Sequence, residues 1–426
     1  MNTYATSEKH QSKLAVAWVL CLLTSIFYAF QYVLRLLPNI MKDEIMLKYA
    51  IDASDFGNFN GIYYIGYSLL HLPVGLMLDR IGPKYVLSVS IFLCGLGIIP
   101  PLYCDSWWIN VFGRFLLGAG STTAILGMFY VIRLNFPPER FASILGISVT
   151  LGLAGALFGN RPLGILKEIF GWENVLHILF IVAIILSVLF LVTMPNQKEN
   201  VEHQKVSIIS DLRELLSNTH VWAVALLAGL MIGPLEGFTD AWGVPFFKTV
   251  YAIDEANSQI LPSMIFLGFC FGAPVLGYLG QKYKRPYSIM IFSALLMGLI
   301  FSLILMFQLT NIPLLYVLMT LAGVLCAYQI FMIFINTRVV KPYLVGISSS
   351  FTNMVVMSFG AIFHSVIGWI MVKCWDGQTV DGLPVYSSHA HIYGLMIIPL
   401  ALFGAFLGFI LIKPKDESVL FKETAN

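Results

Sequence analysis

Apolar residues along this chain come in long runs separated by short polar stretches. Twelve runs qualify, at 14–37, 56–78, 84–103, 107–132, 141–165, 173–194, 220–245, 258–280, 287–309, 312–337, 343–372 and 391–412. Each is about as long as the roughly 20 apolar residues that a helix needs to cross a bilayer. The longest polar stretch, 195–219, follows the sixth run and contains Lys198, Glu199, Glu202, Lys205, Asp211, Arg213 and Glu214. The pattern predicts an all-α membrane protein of twelve transmembrane helices, numbered here as spans 1 to 12 in chain order. It divides the chain into an N-terminal six-helix bundle at 1–194, a cytoplasmic linker at 195–219 and a C-terminal six-helix bundle at 220–426. The first run is too long for the apolar core of a signal peptide, so it is expected to stay as a helix.

Composition agrees. Of 426 residues, 58% are hydrophobic and only 11% charged, against about 25% charged in a soluble domain. A soluble enzyme, a secreted disulfide scaffold and a disordered chain are excluded. A net charge of +2 gives no reason to expect nucleic acid. Of the six cysteines, Cys21, Cys94, Cys270 and Cys326 lie inside apolar runs, while Cys104 and Cys374 near run ends leave a disulfide open.

Basic residues orient the chain. With the N-terminus in the cytoplasm, 17 of the 25 Lys and Arg fall in inside segments. Five fall outside, at Lys42, Lys48, Lys167, Lys248 and Lys373, and three within spans, at Arg35, Arg114 and Arg161. Both termini are therefore expected in the cytoplasm.

The halves repeat. The stretch from Gly75 to Tyr85 after span 2, with Asp79, Arg80, Gly82 and Lys84, corresponds to Gly277 to Tyr287 after span 8, with Gln281 and Lys282 at the places of Asp79 and Arg80, at an offset of 202. Arg133 to Pro137 with Ile144 to Ser148 corresponds to Arg338 to Pro342 with Leu344 to Ser348 at nearly the same offset. Parallel repeats of this kind surround a midplane site in many transporters.

The stretch from Gly75 to Lys84 resembles the loop signature of the major facilitator superfamily, G-x-x-x-D-R-x-G-(R/K)-(R/K), with Pro83 where that family usually has a basic residue. Arg114, Gly118 and Gly120 resemble its R-x-x-x-G-x-G motif in span 4. The resemblance implies two six-helix bundles around a central cavity and transport by alternating access. It also implies a latch in which Asp79 caps the N-terminus of span 11, with Gly75, Arg80, Gly82 and Lys84 around it. Phe27 to Met41 and Trp242 to Pro245 also resemble the intraphagosomal amino-acid transporter branch of intracellular proteobacteria, which implies a bacterial inner membrane. The drug-antiporter pattern in span 5, G-x-x-x-G-P-x-x-G-G, is broken here by Asn160 and Arg161, which favours uptake over export.

Ionisable residues inside a span cost roughly 2.5–3.5 kcal/mol at the helix centre, so each asks for an explanation. Span 1 carries Arg35. Span 7 carries Glu236 and Asp240, one turn apart on one face and just after Gly233 and Pro234. The repeat offset maps Arg35 between those two acids. Like charges so close oppose each other's ionisation, which suits a proton carrier; Glu236, the deeper along the span, is the stronger candidate, with Asp240 nearer outer water. The competing reading leaves all three at the outer interface, with Arg35 snorkelling. Arg114 lies too deep to snorkel and needs a carboxylate or several carbonyls; proton coupling and a structural anchor both fit it. Arg161 fits snorkelling. His364 and His71 fit packing roles better than a proton relay. Polar faces at helical spacing outline a substrate wall: Tyr28, Gln31, Tyr32 and Arg35 on span 1, Asn60, Tyr63, Tyr64 and Tyr67 on span 2, Tyr328, Gln329 and Asn336 on span 10, and Asn353 on span 11. Such stripes also pack helix against helix.

No metal-ligand spacing, phosphate loop or nucleophile–base set occurs, so neither an enzyme nor a cofactor is expected. The expectation is a monomeric proton-coupled importer of a small polar metabolite, with the lipid bilayer, the substrate and protons as its partners. An amino acid comes first as substrate, with a nucleoside or an organic or phosphorylated anion as the alternative. A transporter-like receptor is the rival from another class.

Overall fold

A chain that cannot offer its peptide groups to water inside a bilayer must pair them internally, and the helix does so within one segment. The computed structural model describes residues 2–195, 208–341, 344–380 and 383–421; side chains are described from residue 15, leaving out those of 79, 138, 139, 141–143, 158 and 208–211. Among them, eleven helices are long and apolar enough to cross a membrane, and a twelfth is counted if one bent pair is a single span. They are Ala15–Ile40, Ala53–Leu78, Pro83–Tyr103, Trp107–Asn135, the bent pair, Trp172–Thr193, Thr219–Val250, Glu255–Tyr283, Pro286–Met306, Ile312–Arg338, Val345–Lys373 and Ser388–Ile412, taken as spans 1 to 12. The bent pair, Ile144–Leu157 with Gly159–Phe170, turns by 40° beside Pro162, which lacks the N–H that a straight helix requires. Among the described residues the fold is all-helical apart from one pair of two-residue strands, Thr379–Val380 with Leu383–Pro384.

Local signals set the breaks. Gly82 has φ 90°, a conformation open to glycine, and Pro83 opens span 3 at a position whose N–H would have no helical partner. This accounts for the proline that interrupts the loop signature. Among the described residues side chains cap four other starts: Asn218 accepts from His220 and Val221, Asp254 from Asn257, Asn311 from Leu314, and Ser387 from Ala390. Among the described residues two short α-helices outside the apolar runs escape the hydrophobic pattern, besides a 3-10 turn at Glu417–Phe421. Lys42–Tyr49 follows span 1, and Ile208–Leu216 lies in the linker.

Packing groups the chain into two compact units, Met1–Arg35 with Leu69–Glu202, and Leu36–Ser68 with His203–Asn426. In the first, span 3 packs on spans 4 and 6. Its core includes Ala17, Cys21, Met128, Ile132, Phe136 and Ile144. In the second, span 7 packs on spans 11 and 12, span 8 on span 10, and span 9 on span 12. The end of span 1 and the first half of span 2 belong to this second unit. There the backbones of spans 2 and 11 nearly touch: a Cβ on Gly57 would run into the His364 carbonyl oxygen, and one on Gly360 into the Tyr64 ring. All six cysteines are free, Cys104 and Cys374 included.

Candidate functional site

In the second unit, polar side chains converge where span 2 meets span 7. Pro245 lacks the N–H that would bond the carbonyl four residues earlier, and the helix ahead of it widens into a π turn at Phe238–Trp242. Gly243 N–H there bonds to the Phe238 carbonyl, five residues back. The extra residue leaves Thr239, Asp240 and Trp242 all buried, at 2%, 1% and 0% exposure. Such π turns often accompany functional sites. The Tyr64 hydroxyl reaches both acids of span 7, hydrogen-bonding Asp240 Oδ2 and, at 3.1 Å, Glu236 Oε2. Thr239 Oγ1 donates to Asp240 Oδ1 at 3.2 Å, and Asn39 Nδ2 to the Thr239 carbonyl at 3.0 Å. The Tyr64 ring stands 5.4 Å from that of His364 and 5.3 Å from that of Tyr63, whose ring stacks with Tyr67. Exposure runs against the order expected along span 7: Asp240 is buried and Glu236 half-buried. The π turn aims the Asp240 carboxyl into protein, whatever its distance along the helix axis.

Trp242 forms the edge of this group. Its ring meets Phe56 edge-on, and Lys42 from the short helix lies over it at 5.5 Å. Burial pulls the Lys42 pKa below the ordinary lysine value; Asp43 opposes that shift and Lys248 adds to it.

The first unit holds the two basic residues of the expected site. Arg114, 4% exposed, donates through Nη1 to the Leu34 carbonyl at 3.1 Å and through Nη2 to the Arg35 carbonyl at 2.9 Å. The reason lies in span 1. Pro38 has no N–H to give Leu34, four residues earlier, so that carbonyl is left for another donor. A planar guanidinium with forked donors fits two successive carbonyls better than an ammonium does. Of the two kinds of partner expected for Arg114, the carbonyls are seen. Arg35, 5% exposed, lies over the Tyr32 ring at 5.3 Å. Tyr32 meets Tyr28 edge-on, with hydroxyls 3.4 Å apart, and Gln31 is buried beside them along the helix. Arg161 faces Glu168 at 3.7 Å and is a third exposed; it lies just after the break of the bent pair, nine residues before the end of span 5.

The remaining expected residues separate by their surroundings. Asn60 is buried and bonds its own helix at the Phe56 carbonyl. Tyr328 donates to the Ala228 carbonyl, and Asn336 to the Val221 carbonyl and Thr352; both are fully buried and tie span 10 to its neighbours. They face protein rather than open space. Gln329 and Asn353 are half-buried, and Gln329 donates to Cys326 Sγ. In the loop motif, Gly75 and Lys84 are half-buried and Arg80 exposed; the Asp79 side chain lies outside the described residues. Sequence reasoning missed Asn39, Thr239 and Trp242, whose only signal was their nearness to Pro38, Asp240 and Pro245. Among the described residues no cluster of His, Cys, Asp and Glu suits a metal ion.

Comparison with known proteins places this geometry. The profile of the Major Facilitator Superfamily matches residues 19–364. An uncharacterized transporter YybO of Bacillus subtilis is 24% identical over 297 residues, covering 62% of this chain and 66% of that protein. The probable galactarate/D-glucarate transporter GudP of the same organism is 27% identical over 214 residues, covering 48% and 46%. The chain thus spans roughly half to two thirds of the length of these curated relatives. The crystal structure of a mutant of the nucleoside transporter NupG superposes with a TM-score of 0.72 at 14% identity, covering 93% of this chain and all of that one. The chain belongs to the major facilitator superfamily and is a multi-pass membrane protein.

Proposed function

We propose that the protein takes up a small organic anion with protons, with hydroxylated dicarboxylates such as galactarate and D-glucarate as first candidates. The observation that carries this reading is the buried cation Arg35 on the span 1 face that also bears Tyr28, Gln31 and Tyr32. A guanidinium pairs with a carboxylate through two parallel hydrogen bonds, and hydroxyls and amides along the same face suit a polyhydroxylated chain. GudP, named for galactarate and D-glucarate, adds support. Glu236 and Asp240 are the proton carriers in this reading, Arg114 ties span 4 to the end of span 1, and the loop from Gly75 to Lys84 acts as the cytoplasmic latch.

Amino-acid import stands second. It is the first substrate class expected from the sequence, which carries both a cation, Arg35, and acids, Glu236 and Asp240, inside its spans. Likeness to the intraphagosomal branch rests on Phe27 to Met41 and Trp242 to Pro245 alone, and the sugar-acid relative favours the anion.

Uptake of galactarate, D-glucarate, amino acids and nucleosides into proteoliposomes under an inward proton gradient tests the order. Sugar-acid uptake is expected, and Arg35→Ala is expected to weaken it roughly 30-fold or more, as loss of one partner of a buried charge pair does. Amino-acid uptake with no sugar-acid uptake would reverse the ranking. Orientation is tested separately: a reporter that works only inside the cell, fused after Asn426, is expected to be active, and a silent one sinks the topology.

A further inference from the structure

Three side-chain atoms at one end of the second unit meet no hydrogen-bond partner among the described residues: Oδ1 of Asn39, Nε1 of Trp242 and Nε2 of His391. Each belongs to a residue more than nine-tenths buried, where an unpaired polar atom is expensive. Asn39 stands near the end of span 1, and Lys42 opens the short helix three residues later. Thr239 and Trp242 are likewise three apart in the π turn of span 7. The two segments pair in register, with Asn39 Nδ2 on the Thr239 carbonyl at 3.0 Å and Lys42 Nζ 5.5 Å from the centre of the Trp242 ring. His391, in the first turn of span 12, lies within reach of the Lys42 charge. That turn is tied to the end of span 7 by Ser388, whose hydroxyl donates to the Thr249 carbonyl at 3.3 Å.

The group sorts by chemistry. Asn39 gives its amide hydrogens to a carbonyl, so its Oδ1 is the acceptor left over. His391 Nδ1 lies 3.1 Å from the Ser387 carbonyl, which only accepts. The ring hydrogen therefore sits on Nδ1, and Nε2 of the neutral ring is a second acceptor. Trp242 Nε1 is a donor. Lys42 adds a positive charge: Lys248 is paired with Glu255 at 2.7 Å, whereas no ion pair holds Lys42 among the described residues. We propose that these four residues form a binding site for the α-hydroxy carboxylate end of the transported acid. Lys42 takes the carboxylate, Trp242 Nε1 donates to a ligand oxygen, and Asn39 Oδ1 and His391 Nε2 accept from hydroxyl groups. The inference rests on the sugar-acid reading and adds to it contacts that use no residue of the first unit. A carboxylate without hydroxyls leaves both acceptors bare, and a polyol without carboxylates leaves Lys42 unpaired. The site selects a ligand that carries both.

Three six-carbon probes separate these features on the purified protein. Galactarate has carboxylates and hydroxyls, adipate only the carboxylates, and galactitol only the hydroxyls. Titration calorimetry reads their affinities, and thermal unfolding checks that each variant folds. The parent is expected to bind galactarate more tightly than adipate by about tenfold for each acceptor satisfied. His391→Phe keeps an aromatic ring and removes one acceptor. It is expected to cut the margin of galactarate over adipate about tenfold while leaving adipate where it was. Lys42→Met is expected to weaken galactarate and adipate by the same factor, about tenfold or more, and to leave galactitol unchanged. A margin over adipate that is the same in the parent, His391→Phe and Asn39→Leu overturns the site: these atoms then meet water alone, and the Arg35 reading stands. No binding of galactarate by the parent overturns both.

Discussion

Arg114→Leu is expected to abolish uptake and to lower stability by about 1–3 kcal/mol, the cost of one orphaned buried carbonyl, and Pro38→Ala in the same chain is expected to restore part of that stability. The guanidinium satisfies two backbone carbonyls inside the membrane, those of Leu34 and Arg35. Leaving a buried acceptor without a donor costs about 1–3 kcal/mol each. The Leu34 carbonyl depends on Arg114 because residue 38 is proline and has no N–H for it. Alanine at 38 supplies that N–H, so the double variant should lose less than Arg114→Leu alone. Arg114→Lys keeps the charge without the planar fork and is expected to fall between the parent and the leucine variant. Thermal unfolding of the parent, both single variants and the double variant in one detergent measures the cycle. Equal and additive losses from Pro38→Ala and Arg114→Leu would mean that the two residues do not share the Leu34 carbonyl.

The helices were legible because bilayer thickness imposes one length on every apolar run, and that length survives any detail of packing. Site partners were not, because they are made by backbone groups and by register. Arg114 announced its need for a partner. The partners seen, however, are carbonyls on span 1, that of Leu34 made available by Pro38, and carbonyls leave no mark in a sequence. Likewise, Gly233, Pro234 and Pro245 signalled an irregular span 7. Only the structure shows the π turn at Phe238–Trp242 that buries Asp240 and leaves Glu236 more open. Helical spacing found the polar stripes yet does not separate a wall from a packing face. Tyr64 and Tyr328 look alike in sequence; one reaches two carboxyl groups, and the other a backbone carbonyl of span 7. Small residues were more informative, since a glycine on a membrane helix reports how close the next backbone lies.

Spans 8 and 10 give that last point its sharpest test. A Cβ built on Gly268 would collide with the Thr320 carbonyl oxygen, and one built on Gly323 with the Ile265 carbonyl oxygen. The two glycines therefore seat each span against the backbone of the other. Backbone atoms cannot swing aside as the end of a side chain can, so any larger residue must push the helices apart along their contact. In lipid no hydrophobic force draws helices back together, because tails are as apolar as leucine, and close packing supplies much of the attraction. Gly268→Val is expected to cost more than about 3 kcal/mol, the upper end for an overpacked core. In practice little monodisperse protein should survive extraction. Gly404→Val serves as the control, since a Cβ there meets nothing within 4 Å. It should leave yield and unfolding temperature within the range of ordinary surface changes, about 0.5 kcal/mol. Size-exclusion profiles and thermal unfolding of the two variants decide it. Comparable behaviour of Gly268→Val and Gly404→Val would show that spans 8 and 10 separate at little cost. The expected contrast would instead make them one rigid pair that moves together whenever the transporter changes state.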